Sequence, residues 1–216
     1  MMMTTNDDLQ LFRDAHILDG LTDKQVSILA AAIDVFAANG YANSSTKEIA
    51  RRAGVAEGNI FSTFKNKRGL LHAIIDPVRQ SLFPQAMDEL VKYKLAVKYT
   101  TLREFLDNII RDRIGYLRAN SKVIKIFVSE LFYDQDMRSQ FVRKFPVAYW
   151  LQFDRQFHHL KRLGQLVNWK NGEIGEVMSG IIGEVFLGYL FFGQPLSDAT
   201  VQRTIDTLVT VLTPRV

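Results

Sequence analysis

Apolar residues recur along this chain with the period of an α-helix almost throughout, and period-two alternation is scarce. Val26, Leu29, Ala30, Ile33, Phe36 and Ala37 define the first clear stripe. Thr22 and Gln25 precede it three residues apart, the spacing at which two side chains cap a helix start reciprocally. Gly40 stands where a helix exits through a left-handed residue. The pattern predicts a helix over Asp23 to Asn39. Ser45 and Glu48 repeat the capping spacing, Ile49, Ala50 and Ala53 follow as one apolar stripe, and Gly54 ends it. Ile60, Phe61 and Phe64 supply the apolar positions of a third, very short helix. Asn66 caps a fourth, with Leu70, Leu71, Ile74 and Ile75 on its inward face. Helical patterns then fill "TLREFLDNIIRDRIGYLRAN", "SKVIKIFVSELF", "VAYWLQFDRQFHHLKRL", "EIGEVMSGIIGEVFLGYLFF" and "DATVQRTIDTLVTVL". Nothing reads as a sheet, so the expected fold is all-α.

Two helices as short as those between Ser45 and Phe64 bury little apolar surface by themselves. Joined around Gly54, they match the unit that presents its second helix to the DNA major groove. Ala50 is small where the two would cross, and glycine accepts the positive φ the turn requires. The outer positions Glu57, Gly58, Asn59, Ser62 and Thr63 carry short side chains that can approach base edges or phosphates.

Charge adds a little. The whole chain of 216 residues has a formal net charge of +4, which is compatible with nucleic acid without pointing to it. Thr22 to His72 holds seven Lys/Arg against four Asp/Glu, whereas residues 1–21 hold one Arg against four Asp. The leading segment is therefore no basic arm for the minor groove. Leu9, Leu11, Phe12, Ile17 and Leu18 give it some helical character, but it is expected to be a frayed extension.

The stretch from Gln25 to Ile75, with "AAAIDVFAANGY", "EIARRAGVAEGNIF" and "FKNKRGLL", resembles the N-terminal signature of the tetracycline-repressor (TetR) family of bacterial transcriptional regulators. The resemblance implies an N-terminal three-helix helix-turn-helix domain followed by a larger helical bundle for ligand binding and dimerisation. It implies a partition into an extension over 1–20, a DNA-binding domain over 21–72 and an effector-binding and dimerisation domain over 73–216. By the same resemblance, Thr46 and Lys47 match phosphate contacts. Glu57, Gly58, Asn59, Phe61, Ser62 and Thr63 match the recognition helix, and Lys67 matches a phosphate-touching lysine at the next helix start. Ala56 departs from a common serine, Phe61 from a common tyrosine and Arg68 from a common glutamate. The implied partners are double-stranded operator DNA, a small-molecule effector and a second copy of the chain. The implied activity is repression at a palindromic site, relieved by the effector.

The downstream half suggests where effector and partner would meet the chain. Aromatics crowd Phe127 to Phe157, including Phe132, Tyr133, Phe141, Phe145, Tyr149 and Trp150. A cavity among them would suit a largely apolar effector. Phe127, Glu130, Trp150, Phe153 and Phe157 are the candidate lining, with Gln156 and His158 as further polar anchors. Between Ile174 and Phe192 the apolar stripe is too wide for a helix covered on one side only. Gly175, Ser179 and Gly183 recur every four residues along it. With Ile182 and Phe186, and with Ile205 and Leu208 on the last helix, they are the candidate dimer interface.

Other chemistry is excluded or unsupported. The chain has no cysteine, which removes disulfides and thiolate ligands or nucleophiles. His158 and His159 are adjacent, about 100° apart on a helix, so they do not chelate as an i, i+4 pair would. No nucleophile elbow, phosphate-cradling loop or zinc motif is present. The expectation is a non-enzymatic protein with no metal and no cofactor. The polar, acidic N-terminus is unlike a signal peptide, and Glu184 interrupts the most apolar run, so a cytoplasmic protein with no membrane contact is expected.

Overall fold

The structure, a computed structural model, describes residues 9–144 and 147–215. Among these there is no strand. The helices are α1 (Gln10–Asp14), α2 (Asp23–Asn39), α3 (Thr46–Ala53), α4 (Gly58–Phe64), α5 (Lys67–Pro77), α6 (Phe83–Leu90), α7 (Leu102–Ala119), α8 (Ser121–Tyr133), α9 (Gln135–Lys144), α10 (Val147–Arg162), α11 (Asn171–Phe191) and α12 (Asp198–Leu212). Wide π-type turns, Val78–Leu82 and Val91–Leu95, flank α6. The first follows Pro77, which has no N–H to give; the Val78 N–H turns to the Ile75 carbonyl instead.

The local signals act at the starts of α2, α3 and α5. Thr22 accepts from the Gln25 N–H while the Gln25 side chain accepts from the Thr22 N–H, a complete capping box. Ser45 caps α3 through the Glu48 N–H, but the Glu48 carboxylate does not return the bond. It takes Asn39 Nδ2 at 3.2 Å instead, which ties the end of α2 to α3. Gly40 has a positive φ of 76° but an extended ψ of 156°, so it turns the chain away without forming the left-handed cap expected.

The chain divides into two compact units. The first comprises the chain up to Gln85 together with Ala119–Lys144. Its spine is α2, which is buried at Ile28, Leu29, Ala31, Ala32, Ile33, Val35 and Phe36 and packs against α3, α5 and α8. The leading segment is not frayed where it is described. Phe12 is fully buried and Leu9 nearly so, in the same core as Ile33, Ile49, Ile60 and Leu70. Burying one such side chain is worth roughly 1.5–3 kcal/mol, enough to hold a five-residue helix that has no side-chain cap.

Residues 73–85 and 119–144 thus pack with the helices that precede them. The packing boundary does not fall at residue 72.

The second unit comprises Ala86–Arg118 together with Phe145–Val216. Along α7, Leu102, Phe105, Leu106, Ile109, Ile110, Ile114 and Leu117 face inward at helical spacing. In α12, Val201, Ile205, Leu208 and Leu212 do the same, and α11 packs on α12. Gln156 on α10 is buried and donates through Nε2 to the Leu95 and Val97 carbonyls, at 2.6 and 2.5 Å.

Candidate nucleic-acid interface

The short helices α3 and α4 are placed by their apolar residues. Ile49 and Ala50 on α3 and Ile60 on α4 are buried in the first unit's core. Between the helices Gly54 is left-handed, φ 69° and ψ 30°, and the Val55 N–H returns to the Ala50 carbonyl at 3.0 Å. A Cβ here would sit in a backbone region that side chains disfavour. At the far end of α4 the chain turns so tightly into α5 that a Cβ on Gly69 would collide with the Phe64 carbonyl oxygen. Asn66 caps α5 by accepting from the Gly69 N–H at 2.9 Å. Gly54 was legible as a turn residue. Gly69 was not, because its constraint comes from a carbonyl five residues back.

The predicted contact residues have different duties. Lys47 is exposed. The Thr46 hydroxyl donates to Glu57 Oε1 at 2.5 Å, so these two residues staple the start of α3 to the start of α4. Asn59 and Thr63 are half-buried, and Gly58, Phe61 and Ser62 are exposed. The Ser62 hydroxyl turns back to its own helix and donates to the Asn59 carbonyl at 3.1 Å. Exposure along α4 therefore follows Gly58, Phe61 and Ser62 on one face, and the exposed Lys65 follows just past the helix end with a positive φ of 68°. Lys65 escaped notice although it directly follows Phe64 in the sequence.

Lys67 corrects an expectation. Its ammonium donates to the Ser44 carbonyl at 2.8 Å and the Tyr41 carbonyl at 2.9 Å, with Ala42 at 3.4 Å. It also lies 4.4 Å from the centre of the Tyr41 ring. The charge holds the loop between α2 and α3 in place and does not point outward to a phosphate. The outward cations around α3 and α4 are Lys47, Arg51, Lys65 and Arg68, all exposed.

Beneath this surface lies a charge cluster that sequence reasoning missed. Asp34 on α2 is buried and accepts from Arg52 of α3 at 2.8 Å and from Lys122 of α8 at 2.7 Å. The only signal was an aspartate inside the apolar stripe "AAAIDVF". Two cations on one buried carboxylate hold α3 and α8 to the same point on α2.

The remaining predicted residues are distributed as follows. Phe127 lies in the first unit's core, edge-on to Phe141 at 5.3 Å between ring centres. Glu130 is half-buried in that unit, its carboxyl pushed up first by burial and then by the neighbouring Asp134 charge. Trp150, Phe153 and Phe157 belong to the second unit, where Phe153 and Phe157 stand 6.4 and 6.2 Å from Phe105. The five lining candidates are therefore not gathered within either unit. Phe145 lies outside the described residues. Gln156 Oε1 is buried without a partner. Its orientation is set by the two carbonyls that the amide nitrogen serves. His158 is exposed and paired with Asp154 at 3.2 Å, and His159 faces the Tyr99 carbonyl.

On α11, Gly175 is buried beneath the Trp150 ring. Ile205 and Leu208 on α12 are fully buried by their own chain. All three serve the subunit's core, and the expectation that they form an interface gives way. Ser179 is exposed, and Ile182, Gly183 and Phe186 are only partly covered.

Comparison with known proteins agrees with this geometry. Residues 28–74 match the family model described as bacterial regulatory proteins, tetR family. That stretch of the chain is a tetR-type DNA-binding domain. A fatty acid metabolism regulator protein of Bacillus subtilis is 39% identical over 75 residues, a match covering 35% of this chain and 38% of that relative. An uncharacterised HTH-type transcriptional regulator of the same organism, YvkB, is 28% identical over 83% of this chain and 89% of its own length. The crystal structure of the transcriptional regulator FadR of Bacillus subtilis in complex with stearoyl-CoA matches with a TM-score of 0.54. It is 26% identical and covers 86% of this chain and 97% of that one. These relatives are named as regulators, and residues 28–74 accordingly form a DNA-binding helix-turn-helix.

Proposed function

We propose that this chain is a homodimeric, cytoplasmic repressor of the TetR family that occupies a palindromic operator and is released by a small, largely apolar effector. The observation that carries the reading is the face of α4. It projects from a rigid core, flanked by outward cations, and its helix-turn-helix corners are locked by Gly54, Gly69, the Thr46–Glu57 staple and Lys67. DNA contacts fall to Lys47, Asn59, Phe61, Ser62, Thr63 and Lys65, within a DNA-binding segment of about residues 21–72. Effector binding and dimerisation fall to the chain from about residue 73 onward.

A largely apolar effector is supported by the aromatic set Phe105, Trp150, Phe153 and Phe157 and by the unpartnered Gln156 Oε1 beside it on α10. The stearoyl-CoA bound by a related regulator points to long acyl chains as the first compounds to try. Dimerisation through α11 is supported by Ile182, Phe186 and Leu187, apolar residues that their own chain leaves partly uncovered. Fluorescence anisotropy with DNA from upstream of the chain's own gene tests the reading. Tight binding that is lost on adding a long-chain acyl-CoA is expected. No binding, or binding indifferent to any apolar ligand tried, refutes it.

A further inference from the structure

We propose that the α4 face reads a thymine C5-methyl group, seated over Gly58 and against the ring of Phe61. This rests on α3 and α4 being the DNA interface, and goes beyond it by naming the base group read.

The exposed positions are Gly58, Phe61, Ser62 and Lys65. Two polar groups on and beside this face are committed already. The Ser62 proton goes to the Asn59 carbonyl, and one Glu57 oxygen holds the Thr46 hydroxyl. The middle of the stripe is left to Phe61, which is 48% exposed. An aromatic ring held that far out on a helix anchored by the fully buried Ile60 contributes little to its own fold.

Gly58 is the second, independent observation. It is the first residue of α4, its φ is not positive, and a Cβ there would meet nothing within 4 Å. Nothing in the chain itself therefore requires glycine at this position. Its use fits a position where something outside the chain must come close. Gly58 and Phe61 are three residues apart, so the notch and the ring share one face. Among the groups displayed in the major groove, the thymine methyl is the apolar one. Lys65, exposed just past the end of α4, supplies a cation for a flanking phosphate.

The test uses the full-length protein and duplexes it selects from a random-sequence pool. Each dT is replaced in turn by dU, which removes only the methyl group. One dT per half-site is expected to weaken binding about fourfold when changed, the weight of one buried methyl. That sensitivity should vanish in Phe61→Ala. Gly58→Ala should lower affinity for the dT duplex more than for its dU counterpart, with circular dichroism unchanged. Binding indifferent to every dU, or sensitivity that persists in Phe61→Ala, overturns the inference and leaves the interface standing. Failure of the wild type to enrich any duplex overturns the interface reading and the inference with it.

Discussion

Replacing Lys67 by Met keeps the aliphatic stem and removes only the ammonium. In the structure that ammonium serves three carbonyls of the loop between α2 and α3, two of them within 2.9 Å. Hydrogen bonds to a charged group are worth about 1.5–3 kcal/mol each when buried. Here the three share one charge, the surroundings are partly exposed and water can replace some of them. The contact with the Tyr41 ring adds about 0.5–1 kcal/mol. A net loss of about 2–3 kcal/mol follows, which for a chain of 216 residues lowers Tm by about 5–10 °C. Urea unfolding and a thermal scan read it directly. DNA binding, measured well below Tm, should keep its salt dependence. A lysine that neutralised a phosphate would instead lower the salt slope by about 1 on removal. A Lys67→Met protein as stable as wild type, with a reduced salt slope, would refute the reasoning.

Three further outcomes are expected. Burial, then the Asp134 charge, holds the Glu130 carboxyl above its ordinary range, so the folded chain keeps a proton that the unfolded chain releases and stability falls as pH rises above about 4. Glu130→Gln should therefore gain on wild type in Tm between about pH 4 and neutrality, and the gap should close in acid; a gap independent of pH would count against it. Gly69→Ala forces a Cβ onto the Phe64 carbonyl and should cost about 2 kcal/mol or more, whereas Gly115→Ala on the open side of α7, where a Cβ meets nothing, should stabilise by about 0.5–1 kcal/mol; equal midpoints in urea would contradict the geometry. A Cβ on Gly183 also meets nothing within the chain, so Gly183→Leu should leave the subunit folded while sedimentation shifts toward monomer and operator binding weakens; a dimer as tight as wild type removes this position from the interface.

The helix-turn-helix was legible because its signals act over one helical turn. Thr22 with Gln25, Ser45 with the Glu48 N–H, Asn66 with the Gly69 N–H, and the left-handed Gly54 each involve residues at most three apart or a single backbone position. An apolar period of 3.6 likewise places Ile49, Ile60 and Leu70 on inward faces without reference to what covers them.

The sequence by itself determined the helical character, the ends of α2 and α3, the start of α5 and the family signature over residues 28–74. Only the tertiary structure decided where long side chains and whole helices went. It placed the ammonium of Lys67 on carbonyls 23–26 residues back and that of Lys122 on a carboxylate 88 residues back. It buried Phe12, returned residues 119–144 to the N-terminal unit, and turned Ile205 and Leu208 inward while leaving Phe186 partly uncovered. The physical reason is the range of the forces involved. Capping and periodicity are set by the geometry of one helix, whereas a charge or an apolar face accepts any suitable partner. Which one it meets depends on how all the helices pack at once.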